Sequence, residues 1–147
     1  SKEAIEDVIK VAKDAYERRR LDDETRRFLK WYRDGLVEED CRDMFIKWWI
    51  AFEIWYTSKG YKKVRKEPQK EDRREASEAK AAIKALQEIC GVDVKTAKNI
   101  YRLRSALFHE GADRIKEISL EEALHILSKC LNKVREELWK ELSQREF

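Results

Sequence analysis

Residues 102–111 read RLRSALFHEG, and they close a stretch whose periodicity predicts an amphipathic helix from Val94 to about Glu110. At about 100° per residue, with Val94 at zero, Ala97, Ile100, Tyr101, Leu103, Leu107 and Phe108 fall in one arc of roughly 160°. Arg104 points to the middle of that arc, so a charge stands where the core should be. An ionised guanidinium there is costly unless it meets a carboxylate, a phosphate or a wet crevice. His109 follows five residues later, off the arc and in the last turn, with Gly111 as the expected left-handed stop. The carbonyl end of a helix favours an imidazolium, so a histidine placed there can give and take protons near neutral pH. An arginine that can hold an anion beside a histidine that can move protons suits phosphodiester chemistry.

The surrounding chain predicts one all-α domain. It has 147 residues, enough for a real core, and 43% of them are charged, while Gly and Pro are scarce and β-branched alternation is absent. The net charge of +3 is a mild basic bias that does not by itself point to nucleic acid. No apolar run reaches the length of a membrane span and no signal-peptide pattern opens the chain, so no membrane partner is expected. The leading Ser1, without Met, suits a piece of a longer polypeptide. Cys41, Cys90 and Cys130 are far apart, with no C-x-x-C pair and no histidine at ligand spacing. That spacing predicts no metal site and reduced thiols in a cytoplasmic protein.

In chain order, Lys2–Arg20 keeps a three-and-four spacing through Ile5, Val8, Ile9, Ala12, Ala15 and Tyr16, which predicts a surface helix. A short helix to Arg33 follows, with Gly35 read as its close. Residues 1–36 are thus expected as a helical pair packed on a bundle formed by residues 37–147. Val37–Ser58 is the most hydrophobic helix, with Lys47 and Glu53 the only charges from Met44 to Tyr56. A helix apolar on every face is central to its bundle or covered by a second chain, and both are expected here. Its tryptophans read as core before they read as a base-stacking platform.

Glu53 needs a partner for the reason Arg104 does, and pairing the two is the simplest solution. Such a pair can exist with no chemistry attached, or can hold the arginine in place for a phosphate. Lys59–Asp72 reads as a loop, in which Lys62, Lys63, Arg65 and Lys66 either face solvent or grip a phosphate backbone. Arg73–Cys90 forms a further helix, Asp93 caps the motif helix, and Ser119-Leu120-Glu121-Glu122 is a capping box for a last helix to about Leu142. His125 lies off that helix's apolar stripe and reads as a surface residue. No glycine-rich phosphate loop, Ser-His-Asp order or other cofactor motif is found, so no cofactor is expected.

The pattern R-x4-H, flanked by apolar residues and followed by glycine, resembles the signature of the HEPN superfamily of helical bundles. The likeness is strongest to members reading Y-x-x-R-S-x-x-x-H-x-G, matched here by Tyr101, Arg104, Ser105, His109 and Gly111, and it covers about residues 40–142. The resemblance implies an up-and-down bundle of five or six helices, pairing as a homodimer, and metal-independent endoribonuclease activity on single-stranded RNA. By that likeness Arg104 would bind the scissile phosphate and His109 would move protons, with Ser105, Glu53 and Tyr101 in support. The family serves defence and toxin systems, so an antitoxin or a larger parent protein is a further implied partner. Some members carry H-x-Y, whose tyrosine is modified by an antitoxin; Gly111 stands at that place here. The family also contains inactive dimerisation and partner-binding modules, and Ser105 stands where many active members carry Asn, Asp or His.

Overall fold

The structure, a computed structural model, describes residues 1–17, 23–61, 71–111 and 115–144, the side chains of 14–17 and 71–73 excepted. Among these residues six α-helices follow one another: α1 Lys2–Glu17, α2 Asp23–Leu36, α3 Cys41–Ser58, α4 Glu71–Cys90, α5 Val94–Ser105 and α6 Leu120–Gln144. A π-helical turn, Ala106–Glu110, continues α5. Among the described residues there is no strand, and no helix is long and apolar enough to cross a membrane.

Helix α3 occupies the middle of the bundle because its sequence leaves it little choice. Phe45, Trp48, Trp49, Ala51, Phe52, Ile54, Trp55 and Tyr56 are all buried. It packs along α2 on one side and α6 on another, and α4 lies across α5 and α6. Its rings meet edge to face, with centroids 5.7 Å apart for Trp49–Phe52 and 5.2 Å for Phe52–Tyr56, and Trp55 meets Phe28 of α2 in a tilted contact at 5.6 Å. Each such pair adds about 0.5–1.5 kcal/mol to what burial alone contributes. Val8 and Val11 of α1, and Phe28, Leu29 and Tyr32 of α2, belong to the same hydrophobic core.

Three local expectations change. Helix α3 begins at Cys41, not near Val37, because the Asp40 carboxylate accepts the Asp43 N–H at 3.0 Å and takes the N-cap. Gly35 does not stop α2 but lies buried inside it, where a Cβ would overlap the Trp48 indole. The glycine is there so that two helices can approach closely. Ile9, expected in the buried stripe of α1, is half exposed, whereas Val8 is buried as expected and is joined by Ala4 and Val11.

The cysteine reading is overturned as well. Cys90, at the end of α4, is disulfide-bonded to Cys130 in the middle of α6, and only Cys41 is a free, exposed thiol. Sequence spacing carried no sign of the bond because the two residues meet only when α4 packs on α6. By contrast, the caps of α5 and α6 are as read: Asp93 accepts from the Thr96 N–H at 2.7 Å and Ser119 from the Glu122 N–H at 3.1 Å.

Candidate functional site

The site is built by the change of helical pitch after Ser105. In a continuous α-helix, residues five apart are about 140° out of line, so Arg104 and His109 would face different ways. A π turn bonds i to i+5 and brings such residues over one another. Here the Gly111 N–H bonds to the Ala106 carbonyl, and Gly111 adopts φ 63°, the left-handed conformation that ends the turn. Arg104 Nη1 consequently lies 3.5 Å from His109 Nε2. A guanidinium only donates, so this contact is a hydrogen bond only while Nε2 is unprotonated, the form in which imidazole acts as a base.

Arg104 is half buried and its Nε has no hydrogen-bond partner. The guanidinium carbon sits 4.6 Å from the centre of the Phe108 ring and 5.7 Å from that of Tyr101. Aromatic faces stabilise a cation without neutralising it. The expected ion pair with Glu53 is not formed among the described residues. Glu53 instead accepts from Tyr56 Oη at 3.3 Å. The reason is proximity along α3: Tyr56 stands three residues on, one turn away and on the same face.

Both nearby phenols are held protonated. Burial pushes Tyr56 well above its ordinary value, and the Glu53 carboxylate pushes it further, with Arg104 pulling weakly the other way. Burial also raises Tyr101, offset in part by Arg104, while Glu78 and Glu53 add to the rise and Ser105 opposes it. Tyr101 is anchored against Trp49 of α3, ring centres 6.2 Å apart. The aromatic core of α3 thereby fixes the base of the site, while His109 and much of Phe108 remain open to solvent.

The structure thus brings Arg104, His109, Tyr101, Ser105 and Glu53 into one neighbourhood. Lys62, Lys63, Arg65 and Lys66 lie outside the described residues. His125 is exposed on α6, as its position off the apolar stripe predicts. Two participants were not legible: Tyr56, which read as core filling, and Phe108, which read as part of the apolar arc but half covers the guanidinium. Among the described residues no three His, Cys, Asp or Glu side chains gather as metal ligands. Compared with known protein families, with curated proteins and with solved structures, the chain matches none.

Proposed function

We propose that the chain is a HEPN-like, metal-independent endoribonuclease that acts as a homodimer on single-stranded RNA, in keeping with a defence or toxin role. The observation that carries this reading is the open guanidinium–imidazole pair: Arg104 Nη1 faces His109 Nε2 at 3.5 Å, and among the described residues no carboxylate is bonded to the arginine. A scissile phosphate entering there would meet a cation whose charge is not already neutralised. Unprotonated His109 would take the proton of the ribose 2′-hydroxyl as its oxygen bonds to phosphorus. The bond to the 5′-oxygen breaks, and that oxygen leaves with a proton from an imidazolium. The products are a 2′,3′-cyclic phosphate and a 5′-hydroxyl. Ser105 and protonated Tyr101 stand beside the pair as hydrogen-bond donors for phosphate oxygens.

A second reading is favoured by exposed apolar surface next to the pair. Phe108, whose ring lies against Arg104, is 37% exposed. On that reading the chain is a helical dimerisation or partner-binding module without turnover.

Incubation of the purified chain with end-labelled single-stranded RNA in EDTA separates the two. Cleavage to cyclic-phosphate ends, reduced about 10²- to 10⁴-fold in both Arg104→Ala and His109→Ala, is the expected result. Identical behaviour of all three proteins would leave only the binding module. Because Glu53 already has Tyr56 as its donor, Arg104→Ala does not strand a carboxylate, and both variants should keep wild-type stability within about 1 kcal/mol.

A further inference from the structure

Among the described residues every α-helix mixes acidic and basic side chains except α5. Its twelve residues, VKTAKNIYRLRS, carry Lys95, Lys98, Arg102 and Arg104 and no carboxylate. The other five helices each carry at least one Asp or Glu. In a protein with 33 basic and 30 acidic residues, a helix of a single sign stands apart. Arg104 turns inward to the site described above. At about 100° per residue the other three cations fall within about 60° of one another, on the opposite side of the helix.

Those three line a surface groove of about 460 Å³ together with Val94, Asn99 and Glu117. Lys95 and Lys98 are exposed, and Arg102 keeps 62% of its side chain in solvent. The far wall is fixed: Asn99 donates to the Glu117 carbonyl at 3.5 Å, and the Glu117 carboxylate stands 4.0 Å from Arg102, a long contact that leaves the guanidinium's other donors open. From Lys95 to Arg102 the helix rises about 10 Å, so the cations form a short row along a shallow channel.

We infer that this outer groove of α5 is a second nucleic-acid contact, holding the sugar-phosphate backbone of single-stranded RNA on the far side of the helix from Arg104 and His109. The identity of the occupant rests on the ribonuclease reading; the match of a row of cations to a polyanion does not. A strand leaving the reactive pair would pass around the exposed Phe108–Gly111 end of the helix to reach the row. Binding there reads charge and not bases, because among the described residues the groove is lined by no aromatic ring on which a base could stack.

The test is fluorescence anisotropy with a labelled 2′-O-methyl RNA 12-mer, which lacks the attacking hydroxyl and is not cut. Wild type is compared with Lys95→Gln/Lys98→Gln/Arg102→Gln and with a control triple, Lys80→Gln/Lys84→Gln/Lys129→Gln, whose residues are also exposed. Both triples remove the same charge. The α5 triple should weaken binding about 10- to 100-fold at 0.1 M salt and flatten the slope of log affinity against log salt by about 2, three phosphates at about 0.7 each. The control should stay within about twofold of wild type. Equal losses in the two triples, no binding by wild type, or equally tight wild-type binding of an acidic peptide would each overturn the inference. If the α5 effect appears while wild type cleaves no RNA, the groove stands and the ribonuclease reading falls; cleavage with equal triples means the reverse.

Discussion

Helices α3 and α5 touch through Trp49 and Tyr101, yet the charged groups inside their apolar faces are treated in opposite ways. The two charges inside the apolar run of α3 are both answered within the chain: Lys47 bonds Glu38, and Glu53 takes the Tyr56 hydroxyl. Burial of so many rings on α3 is compatible with stability only because those charges have partners. Helix α5 leaves an inward guanidinium resting on aromatic faces and three outward cations along a groove, with the Glu117 carboxylate 4.0 Å from one of them, Arg102. One helix closes the fold and the other keeps valences open for something outside it. The means of attachment differ too. The α3 side is held by packed rings, whereas α5 and its π turn lie inside the covalent ring closed by Cys90 and Cys130.

The largest effect expected from breaking this division is on α3. Trp49 is fully buried, and Trp49→Ala should lower unfolding stability by about 3–5 kcal/mol, measured by chemical denaturation followed by circular dichroism. A loss as small as that of the Arg104 and His109 variants would erase the distinction between a closed helix and an open one. Next comes the covalent ring. The two cysteines are 40 residues apart, and in the chain-entropy account their reduction should remove up to about 4 kcal/mol. Hydrogen exchange in reductant should rise in α4, α5 and the π turn before it rises in α3; uniform loosening would contradict the contrast. The smallest effect tests how tightly α2 seats on α3. Gly35→Ala drives a methyl into the Trp48 indole and should cost about 1–3 kcal/mol, seen as a lower denaturation midpoint with the slope unchanged.

Much of the helical outline was readable because periodicity and caps are local. Asp93 and Ser119 sit where the capping pattern put them, and the stripe of α6 is buried at Ala123, Leu124, Leu127, Leu131, Val134 and Leu138. What could not be read depends on distance in space. Gly35 carries the usual mark of a helix end, and only the packing of Trp48 against it shows why it is a glycine. Cys90 and Cys130 offered no spacing signal for their bond. At the candidate site, Arg104 was visible as a misplaced charge and the R-x4-H spacing paired it with His109, but the backbone geometry that brings the two side chains together was not visible. A wheel drawn at 3.6 residues per turn holds the two apart, and no residue in Ala106–Glu110 announces the wider turn that joins them. Glu53 was correctly marked as needing a partner, and the nearer phenol won over the farther guanidinium.

The Cys90–Cys130 bond spans the connection between the π turn and α6. A backbone cut between Gly111 and Leu120 would therefore leave Cys90 on one fragment and Cys130 on the other, still sulfur-linked. The piece bearing Arg104 and His109 could not diffuse away from α6, and the nicked molecule would separate into two polypeptides only after a thiol had exchanged with that bond and the packing between them had been undone.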